Sequence, residues 1–303
     1  MSLSRRLDGG RWDRRLFFAA VIVAVPALLW AGTRLVGRDG QSSSVPVGDP
    51  GVSHVHGLGV NPADGTLYVA THHGTFRLGR DGKAERVGDS YQDTMGFTVA
   101  GADRFLGSGH PDAEGFRRGQ PPRLGLIEST DAGTTWRSLS LSGEVDFHGL
   151  AFIHGRTYGW DSGSGRFMVS SDTRTWDTRS ALPLAGFAIN PGDEAHVVGS
   201  GPDGLIESRD GGRTWAKKPG PTLVVFSWDP GAGLVGITEN GAVHRSADAG
   251  VIWAPAGQLP GSPQALLATA DTWYAAAADQ GGTTSIYRSS DAGRNWELHY
   301  RDP

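Results

Sequence analysis

One short pattern recurs along the chain at a nearly constant spacing. It reads STDAGTTW, SRDGGRTW, SADAGVIW and SSDAGRNW, and a shortened copy reads SSDTRTW; in chain order the five copies end at Trp136, Trp176, Trp215, Trp253 and Trp296. These tryptophans are 40, 39, 38 and 43 positions apart. Self-similarity with a period of about 40 residues is typical of a β-propeller, in which each repeat forms one blade of four strands.

Six short apolar segments stand where the innermost strand of each blade should begin. They are residues 56–60, 95–100, 148–152, 186–189, 224–228 and 266–269. Glycine is abundant, at 46 of 303 residues, which suits many short strands joined by tight turns. The sequence therefore predicts an all-β fold, a six-bladed β-propeller over residues 54–303, with the longest insertion at residues 107–123 of the second blade.

The conserved-looking positions inside the repeated pattern have a structural explanation. A carboxylate can accept backbone N–H groups across a turn, glycine supplies a positive φ angle, and tryptophan buries its ring between strands. We therefore interpret the aspartate and tryptophan of the four full copies as turn and packing residues, not catalysts: Asp131, Trp136, Asp210, Trp215, Asp248, Trp253, Asp291 and Trp296.

The pattern S-x-D-x-G-x-T-W resembles the Asp box, or BNR repeat, of sialidases and sortilin-type receptors. The segments HVHGLGVNPADGTLYVATHHGTFR and EVDFHGLAF also look like a bacterial group of Asp-box proteins often named glycosyl hydrolases. The resemblance covers about residues 54–300 and implies a propeller with Asp-box turns, while saying little about function. The R-I-P motif, whose arginine helps sialidases grip the substrate carboxylate, does not occur in this sequence, which argues against sialidase activity.

The amino-terminal segment has the features of a membrane anchor. Residues 16–32 carry no charge, which is near the short limit for a spanning helix, and five arginines precede them. Arginines mark the cytoplasmic side of a span, so the bulk of the chain should lie outside the cytoplasm. We predict a cytoplasmic Arg-rich tail at 1–15, a single-pass transmembrane helix at 16–36, a flexible linker at 37–53 and an extracytoplasmic propeller at 54–303. A cleaved signal peptide is the alternative.

The charge of the propeller excludes one class of partner. When the seven Arg and three Asp of residues 1–40 are set aside, 21 basic and 29 acidic side chains remain. Because phosphate neutralisation by Lys and Arg dominates nucleic-acid affinity, an acidic domain of this kind is not expected to bind nucleic acid.

Strand order brings six of the ten histidines to one face of the predicted propeller. The innermost strand of a blade starts at the face that also carries the turn between its second and third strands, and we call this the top face. The histidines assigned to it by this reasoning are His54, His56, His72, His73, His110 and His148. Met95 occupies the same strand register as His56 and His148.

Imidazole together with a thioether suits copper, whereas imidazole with a carboxylate suits zinc. We therefore predict a copper or zinc site formed by His54, His56, Met95, His110 and His148, with His72 and His73 nearby. Two alternatives remain: the histidines hydrogen-bond loop carbonyls, or they serve a metal-free ligand or acid–base site.

A glycoside hydrolase would need two carboxyl groups that flank the scissile bond, roughly 5–10 Å apart. The weak candidates near the top face are Asp93, Asp146 and Asp161, with Tyr158 as a candidate nucleophile. Three functions thus stay open: a binding module whose top face holds a metal, a glycan or a protein; a glycoside hydrolase; and an assembly factor for a membrane protein. The histidines favour the first.

Overall fold

The computed structural model describes residues 49–303 of the chain. The predicted tail, the predicted anchor at residues 16–36 and the linker up to residue 48 lie outside the described residues. Between residues 49 and 303, no helix is long and apolar enough to cross a membrane.

The described residues fold into six four-stranded antiparallel sheets, which confirms the predicted all-β six-bladed propeller. Blade 1 contains β1 (Val55–Val60), β2 (Leu67–Thr71), β3 (Gly74–Leu78) and β4 (Ala84–Arg86). Blade 2 contains β5 (Asp93–Gly101), β6 (Arg104–His110), β7 (Leu126–Ser129) and β8 (Arg137–Ser140), with a short helix, α1 (Ala113–Arg117), between β6 and β7. Blade 3 contains β9 (Phe147–Ile153), β10 (Arg156–Asp161), β11 (Arg166–Ser170) and β12 (Asp177–Ala181).

The remaining blades repeat this order. Blade 4 contains β13 (Gly186–Ile189), β14 (Val197–Gly201), β15 (Gly204–Ser208) and β16 (Ala216–Lys217). Blade 5 contains β17 (Leu223–Asp229), β18 (Gly233–Thr238), β19 (Ala242–Ser246) and β20 (Ala254–Gln258). Blade 6 contains β21 (Ser262–Ala268), β22 (Trp273–Ala278), β23 (Thr284–Ser289) and β24 (Glu297–Arg301). The innermost strands β1, β5, β9, β13, β17 and β21 contact one another in turn, and β21 contacts β1, so the ring is closed.

Ring closure uses hydrogen bonds between the two ends of the propeller, because each blade is one contiguous stretch of chain. The Asp302 carboxylate accepts the Val52 N–H at 2.9 Å and the Tyr300 hydroxyl at 2.9 Å. On the inner strands, the Gln264 side-chain oxygen accepts the Val55 N–H at 3.0 Å. Blade 6 thus holds blade 1 without exchanging a strand with it.

Glycines on the innermost strands let neighbouring blades pack closely. A Cβ placed on Gly149 of blade 3 would lie 2.6 Å from the Phe187 ring of blade 4. A Cβ on Gly57 of blade 1 would lie 2.8 Å from the Cβ of Phe97 in blade 2. The missing side chains leave room for aromatic rings that fill the space between blades.

The repeated Asp turns connect the third and fourth strands and lie on the face opposite the top face. In the blade-2 turn, Asp131 Oδ1 accepts the Thr135 N–H at 2.9 Å and the Ser129 hydroxyl at 2.8 Å. The Ser129 hydroxyl oxygen accepts the Gly133 N–H at 2.8 Å, and the same pattern recurs around Asp210, Asp248 and Asp291. Backbone N–H groups that would otherwise lack a partner are satisfied in this way.

Candidate functional site

Three imidazole rings meet at the top of blade 1 in what we call the three-histidine cluster (His54, His56 and His72). His54 precedes β1, His56 lies on β1, and His72 lies in the tight turn between β2 and β3. Their ring centroids are 4.5 to 4.8 Å apart, and one nitrogen of each ring lies within 4.8 Å of the others. His54 has a positive φ angle of 46°, so it does not continue the extended strand, and this bend just before β1 sets its ring 4.7 Å from that of His56.

The Asp93 carboxylate, at the start of the blade-2 inner strand, joins two of these rings. His56 Nε2 lies 3.4 Å from Asp93 Oδ1, and His72 Nδ1 lies 3.0 Å from Asp93 Oδ2. The His56 side chain is only 8% exposed, and its Nε2 atom has no well-formed hydrogen bond. A carboxylate that contacts one nitrogen of an imidazole orients the ring and leaves the other nitrogen available to a ligand.

Burial shapes the protonation of this cluster. Burial, together with the neighbouring rings of His56 and His72, lowers the pKa of His54 to about 4. Burial also lowers the pKa of His56, against the opposing effect of Asp93. Although its own burial acts in the other direction, the contacts with His56 and His72 hold the pKa of Asp93 below its ordinary value. Near neutral pH, His54 and His56 are therefore uncharged and each keeps a lone pair.

A second group lies between blades 2 and 3, and we call it the His–Asp–His cluster (His110, Asp146 and His148). The Nε2 atoms of His110 and His148 lie 3.4 Å and 2.8 Å from the same oxygen, Asp146 Oδ2. His110 Nδ1 lies 2.7 Å from the Pro122 carbonyl oxygen, which the blade-2 insertion supplies. The hydrogen bond with Asp146 raises the pKa of His110 to about 9, against the effect of burial.

The two clusters adjoin each other at the mouth of the central channel. Asp93 and His110 are direct cross-strand partners on β5 and β6. His56 and His148 both line the channel, whose cavity measures about 770 Å³ and is otherwise bordered mainly by glycine and apolar residues of the innermost strands. The top face therefore brings five imidazoles and two carboxylates into two adjacent clusters, and one imidazole of each cluster lines the channel.

Met95, which the sequence predicts as a ligand, and His73, which it predicts to lie nearby, are not among the residues that form the two clusters. Met95 is the bulged residue of β5, is half-buried, and is not among the residues that line the channel in the described chain. His73 lies next to His72, with 6.4 Å between ring centroids, and its carbonyl oxygen accepts a hydrogen bond from Arg86. The predicted histidine ligands thus divide between the two clusters, and His72, which the sequence predicts only to lie nearby, is a member of the three-histidine cluster.

The remaining catalytic candidates have structural surroundings. Tyr158 is fully buried in the packing of blades 3 and 4, with its ring centroid 6.4 Å from that of Phe167. Asp161 accepts the Asp146 N–H at 2.9 Å, and its other oxygen contacts Ser164 and Arg166. Asp161 therefore positions the backbone of Asp146 and does not reach the channel.

Neither Asp93 nor Asp146 has the electrostatic environment of a glycosidase acid. Such an acid needs a raised pKa so that it is protonated near neutral pH. Burial acts to raise the pKa of Asp146, but the hydrogen bonds from His110 and His148 outweigh it and the pKa is lowered, as it is for Asp93. Both carboxylates are consequently anionic and are suited to holding imidazoles or cations.

Sequence reasoning missed two groups that position these rings. The Pro122 carbonyl oxygen and the Gln264 side chain, whose Nε2 lies 3.5 Å from His54 Nδ1, carry no recognisable signal. A backbone carbonyl in an insertion and a glutamine on a distant blade become neighbours of the histidines only through the closed ring.

Comparison with known proteins identifies the fold of the chain but does not assign it to a family. No family model matches it. A segment of 112 residues, 36% of the chain, is 31% identical to the dispase autolysis-inducing protein of Streptomyces mobaraensis and covers 28% of that protein. The match therefore spans less than a third of the relative's length and does not establish a shared family.

Solved structures resemble the chain over most of its length. The GH74 xyloglucanase of Xanthomonas campestris has a TM-score of 0.52 and 17% identity, over 82% of this chain and 45% of the xyloglucanase. A chain of the nidogen/laminin complex has a TM-score of 0.57 and 12% identity, over 78% of this chain and 97% of that one. At such low identity the likeness shows the propeller fold alone.

Proposed function

We propose that this protein is a metal-binding propeller whose top face holds one zinc or copper ion in the three-histidine cluster. The observation that carries the proposal is the convergence of three imidazole nitrogens within 4.8 Å of one another, beside a carboxylate that contacts two of the rings. Neutral imidazole is a preferred ligand of both metals, and a metal-bound imidazole usually donates its other N–H to a carboxylate that orients the ring.

The spacing of the nitrogens fits a single ion after small adjustments. Zinc–nitrogen bonds of about 2.0–2.1 Å place tetrahedral ligand atoms about 3.4 Å apart. Nitrogens that are at most 4.8 Å apart can reach this spacing by side-chain movements of about 1 Å. The backbone of β1 and of the β2–β3 turn can stay where it is.

The cluster also supports an open coordination position. The His72 side chain is 41% exposed, whereas the His56 side chain is 8% exposed. Three protein ligands with solvent on one side correspond to the arrangement that leaves a fourth position for water or another ligand. We therefore propose that the bound ion presents itself at the channel mouth to a small donor molecule or to a partner.

Metal binding by the full chain tests this proposal. Zinc and copper(II) are titrated into metal-stripped protein, and the variants His56→Ala and His72→Ala are compared with a matched His154→Ala variant, whose histidine lies in the β9–β10 turn of the opposite face. We expect tight binding at this site in the wild-type and control proteins and an affinity of this site that is at least about 100-fold lower in the two cluster variants. Equal binding by all four proteins, or no binding by the wild type, would contradict the proposal.

A glycoside hydrolase and an assembly factor remain alternatives that fit the fold. For the first, the two anionic carboxylates at the channel mouth give no support. An assembly factor could also bind metal, if its partner protein recognised the ion at the channel mouth. We retain metal binding as the function to be tested first.

We also propose that residues 16–36 anchor the propeller to a membrane, with the propeller on the extracytoplasmic side. The charge-free run and the preceding arginines support this placement. Membrane fractions are washed with alkaline carbonate and then treated with protease on intact cells. Retention in the membrane with digestion of the propeller from outside supports the proposal, and release by carbonate contradicts it.

A further inference from the structure

We propose that the His–Asp–His cluster is a second cation site, which takes a divalent transition-metal ion such as zinc beside the first. It shares no residue with the three-histidine cluster, so it goes beyond the proposed function and can stand or fail separately. Its ligands would be the two Nε2 atoms and the Asp146 carboxylate. Two histidines with one carboxylate form a recognised zinc ligand set.

The hydrogen bond to Pro122 defines which nitrogen of His110 can bind an ion. A carbonyl oxygen only accepts hydrogen bonds, so the Nδ1 atom, 2.7 Å away, must carry the hydrogen. The Nε2 atom faces the Asp146 carboxylate at 3.4 Å, and without a metal a proton on Nε2 lies between them. A zinc ion bound here would take the place of that proton and use the Nε2 lone pair. An Nδ1–H that donates to a carbonyl is also the usual arrangement behind a metal-bound histidine.

The Asp146 carboxylate has one oxygen without a partner. Its side chain is 8% exposed, and Oδ1 is buried without any hydrogen bond. Leaving a buried charged oxygen unpaired is costly, and a cation that binds both carboxylate oxygens would remove that cost. The backbone N–H of Asp146 is held by Asp161 at 2.9 Å, so the carboxylate is fixed in position before an ion arrives.

The third ligand, His148, extends from the inner strand of blade 3. Its Nε2 atom lies 2.8 Å from Asp146 Oδ2, and its side chain is 36% exposed. Because no hydrogen bond within the described chain occupies its Nδ1 atom, a shift of the ring proton from Nε2 to Nδ1 is open to it. Such a shift gives Nε2 the lone pair that a metal requires.

Charge balance makes two neighbouring ions acceptable. Asp93 and His110 are cross-strand partners, so the two clusters lie side by side. The His–Asp–His cluster includes the Asp146 carboxylate, and the three-histidine cluster contacts the Asp93 carboxylate. Each carboxylate offsets part of the charge of one divalent ion. A pair of ions at the channel mouth would present two open coordination positions to one ligand.

Stoichiometry is the measurement that tests this inference. Metal-stripped full-length protein is titrated with zinc by calorimetry, and the retained zinc is measured after gel filtration. The variants are His56→Ala for the first cluster, His110→Ala and His148→Ala for the second, and His154→Ala as the matched control. We expect two ions in the wild-type and control proteins and one ion in each of the cluster variants.

Each other result has a definite meaning. A single ion that persists in His110→Ala and His148→Ala overturns the second site and leaves the proposed function intact. A single ion lost from those two variants but kept by His56→Ala supports the second site and overturns the proposed function. A single ion lost from all three shows one shared site and overturns the two-ion inference. No bound zinc in any protein overturns the second site, and no bound zinc or copper overturns the proposed function as well.

Misfolding of a variant is distinguished from loss of a ligand by a conservative replacement. His110→Gln keeps a side-chain N–H that can donate to the Pro122 carbonyl oxygen while it removes the imidazole lone pair. We expect this variant to melt within a few degrees of the wild-type protein without zinc and to bind one ion. If His110→Gln binds two ions, the second site is overturned.

Discussion

The Asp93 carboxylate stands at the first residue of the blade-2 inner strand, yet two of its contacts are to imidazoles of blade 1. It therefore holds His56 and His72 in fixed orientations from across a blade boundary. A group in this position can change metal affinity without touching the metal.

Replacing Asp93 by Asn tests this role. The amide keeps the shape of the side chain but removes the negative charge that attracts the N–H groups of His56 and His72 and so orients the two rings. We expect zinc affinity to fall about 10–100-fold. The measurement is calorimetric titration of the full chain. The isosteric Asp89→Asn change, at an exposed residue shortly before β5, serves as the control. An unchanged affinity in Asp93→Asn would mean that the carboxylate does not orient the ligands.

The Asp turns contribute stability that depends on pH. Hydrogen bonds from the backbone and side chain of Asn295, and from Ser289, lower the pKa of Asp291 from 3.8 to about 2. Because the pKa is lowered on folding, the stabilisation is present above pH 3.8 and is lost as the pH falls through about 2.

The variant Asp291→Asn should therefore be less stable than the wild-type protein near pH 7, and the difference should shrink as the pH falls from about 4 towards 2. Urea unfolding at a series of pH values measures this change. Asp271→Asn, in the same blade but outside the repeated turn, is the control. A stability difference that stays constant down to pH 2 would contradict the assignment.

Sequence patterns predict individual site residues unevenly. His54 and His56 stand two apart in sequence, but His54 lies before β1 with a φ angle of 46°, so the strand period alone does not account for their contact. His72 belongs to a turn that the repeat locates, but its closeness to His56 depends on the strand pairing of blade 1. Pro122 acts through its carbonyl oxygen, which no side-chain pattern can reveal.

The innermost strands illustrate what decides packing between elements. Gly149 accommodates the Phe187 ring of the next blade, and a Cβ at this position would lie 2.6 Å from it. A contact of this length forces the ring or the backbone to move.

Gly149→Ala should destabilise the protein by about 1–3 kcal/mol because the added methyl group overpacks the boundary between blades 3 and 4. The free energy of unfolding in urea is the measurement. Gly101→Ala is the matched control on an innermost strand, since the nearest atom to its added Cβ lies 3.9 Å away. Equal effects of the two substitutions would show that close packing at Gly149 does not matter.

Most strands could be located from the repeat, and the exceptions have physical reasons. The predicted segment 186–189 coincides with β13, whereas β21 begins at Ser262, four residues before the predicted start at 266. The additional residues include Pro263 and Gln264, which lie at a bulge and do not look like a core strand. Ring closure places them beside β1, and no local pattern records that contact.

At the scale of the whole molecule, the six blades form the ring, and the contacts between blades 6 and 1 close it and contribute to its stability. Asp302 joins the end of blade 6 to Val52 and to Tyr300.

Asp302→Ala should lower the free energy of unfolding by about 1–3 kcal/mol, since a backbone N–H loses its acceptor. Urea unfolding is compared with that of Glu297→Ala, an exposed position on β24. If both variants match the wild-type protein, Asp302 is not needed for closure.

The function is less accessible from the sequence than the fold. The period of the repeat predicts six blades because each blade is a contiguous unit with its own turn residues. The division of the top-face histidines into two clusters depends on which blades touch and on how β5 pairs with β6. Those contacts are long-range, and a single sequence does not encode them in any local pattern.

The closure between the two chain ends has a kinetic consequence. Val52 and Asp302 are 250 positions apart, whereas the contacts inside a blade join residues close in sequence. Such a distant contact costs loop-closure entropy before it stabilises the fold. The blades should therefore form first, and the seam between blades 6 and 1 should form last. A substitution in the seam should then speed unfolding while leaving the refolding rate nearly unchanged.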